Sequence, residues 1–477
     1  MKKTFSAFRS VCAAALAATL LASALFINSC GKEHVHKWGE WELYIEPTCY
    51  IAGQERSVCS CGASKFRSID VSHQYGEPEN DVAAKKKVSV CSICGSKREE
   101  ELTSGDVGIA LITVAGNPSE KSAQFDVSYD GAGEPFSDKA TVFVIANDDG
   151  AKGKSSYSVK LSSPRCLNDG WKEYSEYVLD ASDPYLSKSA NAVSSALYRS
   201  VVLSSGKSDA VNSAFSAGAK DGVPVCLYIG NDFKGIYMLS VPYTAESLGM
   251  NGEGSQAIMR ESAYSEQTAL ASPLSGDPSA DLIEINYTST EDALWAAESF
   301  NAMTEFVRNT NGAAFREGIG QYIDVDRAID EMLFVYASGA VGNVSDKTVW
   351  ATYDGTVWIP LAGDMTGAFG VARAEGEEVV PGEALVSDRA SVLWQKLNLY
   401  FADELGTRWE ALRNGPLSLA SVQDAFGSYL SDTPDFVADA DENVNKGALG
   451  ANEAYAKKIG EYASASLYYL DVHFGVQ

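Results

Sequence analysis

The chain has 477 residues, 45% of them hydrophobic, with 64 acidic against 38 basic side chains and a formal net charge of −26. That length suits two or three domains with cores of their own, and the hydrophobic fraction is that of a globular protein. A field this negative repels phosphate backbones and anionic lipid, so the composition argues against nucleic acid as a partner.

The first segment reads as a targeting sequence. Lys2, Lys3 and Arg9 form a positive start, and Val11 to Ile27 is an uncharged apolar run. It is shorter than the ~20 residues a helix needs to cross hydrocarbon. Asn28-Ser29 then leads into Cys30-Gly31. Such a run ending at a cysteine reads as a signal peptide, residues 1–29, and resembles a bacterial lipobox, in which the thiol is acylated and becomes the new N-terminus. Cys30 is therefore the expected lipidation site. The expected location is the bacterial cell envelope, outside the cytoplasm, with a membrane as partner through the lipid. The alternative is an ordinary secreted protein with a stray cysteine.

Residues 30–104 are rich in Cys and His and contain a repeat. His36-Lys-Trp-Gly-Glu returns as His73-Gln-Tyr-Gly-Glu, and Val58-Cys-Ser-Cys-Gly returns as Val90-Cys-Ser-Ile-Cys-Gly. Each copy is expected to be a small β-hairpin module with a Cys pair before Gly. A turn of that kind puts two thiolates on one cation, and Gly permits the tight backbone. Modules this small need a staple. The expected ligands of a structural zinc are Cys59 and Cys61 in one copy and Cys91 and Cys94 in the other, with Cys49, His73 and His36 as candidates for the rest. Disulfides are the rival, because an exported chain meets an oxidising compartment. Three of the four His fall in this region, which disulfides do not require. Cys59 and Cys61 are also too close to pair with each other comfortably. The repeat resembles Cys/His modules found in tandem on surface proteins of anaerobic bacteria, a resemblance that implies no activity.

Residues 105–136 alternate like strands, as in Ile109-Ala-Leu-Ile-Thr-Val and Gln124-Phe-Asp-Val-Ser-Tyr, and form a short β segment. Next, Gly150-Ala-Lys-Gly-Lys154-Ser155 looks like the end of a phosphate-binding loop after the strand-like Ala140-Thr-Val-Phe-Val-Ile-Ala. Asp148 occupies the first glycine position, however, and Ser156-Tyr-Ser-Val-Lys-Leu continues as a strand. No helix N-terminus is then available for the anion.

Residues 137–477 read as a mixed region of hairpins and helices. Gly222 to Leu239 is a hairpin turned at Gly-Asn-Asp, and Lys347 to Pro360 is one turned at Asp354-Gly355. Asp183-Pro184 predicts one helix start. Ser289-Thr-Glu-Asp292 predicts a capping box before a stripe of Ala296, Phe300, Met303 and Val307. Asp324 predicts a cap before Ile329, Met332, Leu333, Tyr336, Ala337 and Ala340. The fold class is α+β: antiparallel hairpins with surrounding helices, preceded by the small Cys/His modules. No Ser-His-Asp arrangement is credible, since His473 has no evident partner. Cys166 and Cys226 either pair or are inert thiols.

These segments together resemble the spore-coat-protein-H (CotH) kinase family. Tyr228-Ile-Gly-Asn-Asp-Phe-Lys-Gly-Ile-Tyr is similar to its "NGEYxGxY" element. Tyr322 to Arg327, Ala351 to Pro360 and Gly363-Asp-Met-Thr-Gly-Ala-Phe-Gly370 are similar to its central stretch, where the last piece is normally "YDMDxTFG". Arg408 to Arg413 and Tyr468 to Phe474 are similar to its closing helices. The resemblance runs from about Ala140 onward. It implies an atypical protein kinase that uses Mg-ATP on Ser of a secreted or surface protein. It also implies catalytic roles for Asp364, on the metal, and Lys154, on the nucleotide phosphates.

The chain departs from that pattern at three places. Thr366 replaces the second acid of "DxD", Thr348 or Lys347 stands at the Asn of "KN", and Val241 stands where a Glu normally follows "GxYLLx". A hydroxyl is a poor substitute for a carboxylate on Mg²⁺. The expectation is a kinase-like surface lipoprotein that is degenerate at the metal. The alternative is a non-catalytic envelope lipoprotein that binds a partner.

Overall fold

The computed structural model describes residues 35–132, 135–147, 154–181, 189–207, 209–214, 217–220, 222–275, 277, 280–344, 347–363, 365, 367–370, 380–385, 391–444 and 452–476. Cys30 and the expected signal peptide, Asp148 to Gly153, Asp183-Pro184, Asp364 and Thr366 lie outside the described residues. The chain divides into two compact units, one of residues 1–77 with 89–98, the other of 78–88 with 99–477. Among the described residues no helix is long and apolar enough to cross a membrane.

The first unit carries the described Cys and His residues of the repeat. Strands β1 (Glu42–Ile45), β2 (Gly53–Val58) and β3 (Ser64–Ile69) form an antiparallel sheet in that order. The second copy is built on β4 (Glu79–Asp81), β5 (Lys86–Val90) and β6 (Lys97–Glu101). The two copies match in their hydrogen bonds. Gly39 N donates to Val58 O at 3.0 Å and Gly76 N to Val90 O at 3.1 Å. Cys59 N donates to Ala63 O and Cys91 N to Ser96 O, and each turn closes through a glycine in the left-handed region, Gly62 or Gly95.

The second unit starts with a closed barrel. Strands β7 (Ala110–Ala115), β8 (Ala123–Asp130), β9 (Phe136–Asn147), β10 (Ser155–Arg165), β11 (Tyr174–Asp180), β12 (Gly222–Ile229) and β13 (Asp232–Ser240) are ordered β10-β11-β13-β12-β7-β8-β9, with β9 returning to β10. Neighbours are antiparallel, except that β12 runs parallel to β7 with Val225 opposite Ala110. The segment 105–136 thus supplies two strands of a barrel that also contains residues 136–240. Ile112, Val114, Val127, Val142, Val159, Leu179, Val225, Leu227 and Leu239 share one core. On the other face of β7, β12 and β13, Leu111, Cys226, Tyr228 and Ile236 pack with Val82, Leu102 and Val437. Burial on both faces is why Val225-Cys-Leu-Tyr-Ile reads as a continuous apolar run and not an alternating one. Here the Tyr228 hydroxyl donates to Val82 O at 2.7 Å.

The rest of the unit is an antiparallel sheet backed by helices. Its order is β15 (Ile283–Thr288), β14 (Ala257–Glu261), β16 (Thr348–Thr352) and β17 (Trp358–Ala362). Met259, Trp350 and Ala362 join the large core made by the helices Ser189–Leu203, Leu294–Asn309 and Val325–Ser338. Ile258, Val349 and Leu361 face a smaller cluster with Val211 and Tyr243. Both predicted hairpins form, β12–β13 with Ile229 opposite Asp232 and β16–β17 with Thr352 opposite Trp358. Asp324 caps its helix by accepting from Arg327 N at 3.0 Å, and both apolar stripes are buried. One expectation fails: the helix with Phe300 begins at Leu294, not after Ser289. Ser289 Oγ instead donates to Gly254 O and accepts from Gln256 N, so the expected cap is spent on stitching a loop to the sheet. The segment Arg408 to Arg413 also proves structural. Arg408 Nε is 2.6 Å from Asp330 Oδ1, and Arg413 Nε is 2.8 Å from Asp471 Oδ1.

Candidate functional site

A cleft of about 350 Å³ opens where the barrel meets the four-stranded sheet. It is lined by Ser156 of β10, Asp180 of β11, Pro242 after β13, Arg260 and Glu261 of β14, Lys347 before β16, Gly363 after β17, and Lys220. These are the ends of strands from both sheets, so the polar groups stand on rigid supports. Three cations face this space. Lys220 Nζ is 3.0 Å from Asp180 Oδ2, while Ser156 Oγ lies 3.4 Å from Asp180 Oδ1. Arg260 is open to solvent, yet the surrounding protein desolvates its guanidinium enough to pull it below the usual value, against Tyr243 and the Glu284 carboxylate. Glu261 is buried, and its Oε1 accepts from Trp350 Nε1 at 2.7 Å.

After β17, the backbone N–H groups of Gly363 and Met365 are each held by a buried asparagine. Gly363 N donates to the buried Asn343 Oδ1 at 2.9 Å, and Met365 N donates to the buried Asn191 Oδ1 at 3.1 Å. A Cβ on Gly363 would fall 2.0 Å from Lys347 O, so only glycine allows this approach. Pro242, which follows Val241, therefore meets Lys347 and Gly363 at one cleft.

Lys154 does not line it. Its ammonium is buried, 3.1 Å from Asp441 Oδ1, 3.2 Å from Ile236 O and 4.9 Å above the centre of the Tyr237 ring. Asp441 Oδ1 also accepts from Ile236 N at 2.7 Å. Gly235, with φ of 101°, is forced by this pair: a Cβ there would lie 2.2 Å from Asp441 Oδ1 and 2.5 Å from Lys154 Nζ. The strand Ser155–Arg165 follows directly, as the sequence indicated, so no helix receives a phosphate at this point. The sequence reading missed Lys220, Asp180, Arg260 and Glu261. Arg260-Glu261 had a visible signal, a charged pair ending the apolar Ala257-Ile-Met.

The Cys/His residues form two groups in the first unit. Cys49, His73, Cys91 and Cys94 bring four ligand atoms within 4.8 Å of one another, and His36, Cys59 and Cys61 bring three. Cys49 Sγ is 3.5 Å from Cys91 Sγ, and Cys94 Sγ is 3.3 Å from His73 Nδ1. Zinc with ordinary bond lengths has tetrahedral edges of about 3.8 Å between sulfurs and about 3.6 Å between sulfur and nitrogen. The four-donor group fits that ion. Burial pushes the Cys49 thiol up to about 11, with the Cys91 and Cys94 sulfurs adding to it. Burial acts on Cys91 in the same direction, but the backbone N–H groups of Cys94 and Ile93 and the His73 ring outweigh it and hold that thiol at about 5. All seven described cysteines are free thiols, so Cys166, which is exposed, and Cys226, which is buried, are not joined.

Barrel and helix-backed sheet together define an α+β protein, carrying Cys/His modules suited to a metal. The family model described as CotH kinase protein matches residues 153–463, and the chain belongs to that family. No curated protein matches the chain.

Proposed function

We propose that this protein is a surface lipoprotein whose kinase-like domain admits a nucleotide but is degenerate at the metal. The observation that carries this reading is the convergence of Lys220, Arg260 and Lys347 on a cleft bounded by Gly363, beside the sequence Asp364-Met-Thr366. The family implies ATP and Mg²⁺. Three cations suit a phosphate chain. The carboxylates of the cleft suit the metal less well, because Asp180 faces Lys220 and Glu261 bonds Trp350. When bound, Mg²⁺ would neutralise phosphate charge as the phosphoryl group transfers. Asp364 would be the chain's remaining ligand from "DxD". Lys220, Arg260 and Lys347 would orient the nucleotide, and Lys154 would support the barrel from its pair with Asp441 and not touch the phosphates.

Calorimetric titration with ATP, with and without Mg²⁺, followed by labelled-phosphate transfer, tests this. Binding without transfer is expected in the wild type, and transfer is expected to rise in Thr366→Asp. Robust wild-type transfer that Asp364→Ala abolishes would overturn the degenerate reading. The same proposal includes lipid attachment at Cys30 and structural zinc in the Cys/His modules. The protein substrate or partner would be a surface protein reached from the membrane anchor. A non-catalytic partner-binding role is the second reading, favoured by the Thr366 substitution.

A further inference from the structure

Resting on the expected lipid at Cys30, we propose that one face of the first Cys/His copy is a membrane-contact surface that lies against the bilayer beside the anchor. Of the exposed large hydrophobic side chains among the described residues, twelve fall in the first unit and twelve in all the rest of the chain. Several of them share one face of the β1–β2–β3 sheet. Tyr44 packs on Phe66 with ring centroids 5.2 Å apart, and Arg56, opposite Phe66 in the register, lies 5.2 Å from the centre of the Tyr44 ring. Ile45, opposite Gln54, extends the row. Tyr50 and Ile51 then stand out from the turn that joins β1 to β2, exposed over 74% and 61% of their surface. Thr48 holds that turn: its N donates to Ile51 O at 3.0 Å and its Oγ1 accepts from Ile51 N at 3.1 Å.

The module does not need this surface in order to fold. The second copy builds its three-stranded sheet from Glu79-Asn-Asp, Lys86-Lys-Val-Ser-Val and Lys97-Arg-Glu-Glu-Glu. The copy nearer to Cys30 carries Leu43-Tyr-Ile and Phe66, and the farther copy carries charges. The opposite face of the first sheet is charged as well. Lys65 Nζ and the Arg67 guanidinium lie 4.8 Å and 4.5 Å from the Trp41 ring, and Arg67 pairs with Glu55. One side of this sheet is therefore apolar and the other ionic.

Tether and charge select a lipid surface as the occupant. Cys30 precedes Val35 by five residues, a span of at most about 18 Å when fully extended. A module held that close meets the bilayer at a high effective concentration, so even a weak face is engaged. The chain as a whole is strongly negative, but the described residues of the first unit carry six basic and six acidic side chains. The repulsion that the rest of the chain exerts on lipid does not arise here. Tyrosine and arginine suit the interface, with the apolar body inward and the polar end among the headgroups. The face adds to the anchor and does not replace it, because such binding scales with buried apolar area and this patch is small.

The test places the mature lipidated chain in phosphatidylcholine vesicles that carry a photoactivatable group near the headgroup, and maps labelled peptides by mass. Label should enter residues 42–51 and 64–69 as well as the Cys30 peptide. Tyr50→Ser with Ile51→Ser should cut the labelling of 64–69 by about tenfold, and in the Cys30→Ser chain should lower partition onto the same vesicles by about tenfold. Leu399→Ser, at an exposed position of the second unit, should change neither. Because the substituted side chains are exposed, the melting temperature should stay that of the parent. Label confined to the Cys30 peptide would overturn the inference, as would equal partition of variant and parent. Self-association of the Cys30→Ser chain that Tyr50→Ser with Ile51→Ser abolishes would assign the face to a second copy and overturn it too. An unacylated Cys30, read from the intact mass, would overturn the anchor reading, and partition of the Cys30→Ser chain tells that failure from failure of the face.

Discussion

Lys154 and Asp441, 287 positions apart in the chain, form a buried ion pair at 3.1 Å that ties the start of β10 to the helix Asp435–Val444. Both side chains are nearly inaccessible, at 8% and 6% of their surface. Removing one partner of such a pair strands the other charge, which costs about 3–5 kcal/mol. Asp441→Ala should therefore lower unfolding stability by about that amount, measured by denaturant titration. A change under about 1 kcal/mol would mean that water solvates Lys154 in the folded state.

Gly235→Ala tests the same place through the backbone. The new methyl would meet both members of the pair, in a left-handed conformation that alanine resists. The expected outcome is a loss comparable to Asp441→Ala, with little further loss in the double variant, because both changes break one interaction. Additive losses would contradict this.

Glu331 should make stability depend on pH. It is fully buried in the helix Val325–Ser338, neither carboxyl oxygen has a hydrogen-bond partner among the described residues, and burial pushes its pKa from 4.5 to about 8, opposed by Arg327. Between those values the folded chain keeps a proton that the unfolded chain releases. Stability must then fall as pH rises through that window, and below it the group has no effect. Glu331→Gln should raise the melting temperature at pH 8 and change it little near pH 4.5. Parallel melting curves against pH for both proteins would refute the assignment.

The cleft cations should control nucleotide affinity. Arg260→Ala and Lys347→Ala should each weaken ATP binding by about tenfold or more, as expected for loss of a charge-assisted hydrogen bond. Asp441→Asn, outside the cleft, should leave affinity unchanged in the folded protein. Equal affinities across all three variants would move the nucleotide elsewhere.

Cys30→Ser should release the mature protein from membranes into the soluble fraction, read by fractionation and intact mass. Unchanged membrane association with unchanged mass would remove the lipid anchor.

The elements legible in the sequence were those fixed by neighbours in the chain. The Asp354-Gly355 turn, the Asp324 cap and the repeated Gly62 and Gly95 knuckles each follow from a few adjacent residues, and each forms. Pairings across long separations were not legible. Nothing local says that Val225 lies beside Ala110, or that Cys49 leaves its own copy for Cys91. The same limit applies to Lys154, whose role on the phosphates was implied by the resemblance alone, and whose partner Asp441 comes from a distant helix. Ser289 shows the opposite failure. Its local pattern was a good helix start, but Gly254 and Gln256 offered it other bonds.

The barrel's closure also determines where the chain can be cut. The family match begins at residue 153, after β7, β8 and β9 have been made. A fragment starting there keeps β10 to β13 but strips β9 from one side of β10 and β7 from one side of β12. Two rows of unpaired amide and carbonyl groups would be left open, one of them along Val225-Cys-Leu-Tyr-Ile, whose side chains are apolar on both faces. Such edges recruit strands from other molecules, so this fragment should aggregate. A fragment starting at residue 78 would retain all seven strands, together with Val82, whose carbonyl accepts the Tyr228 hydroxyl.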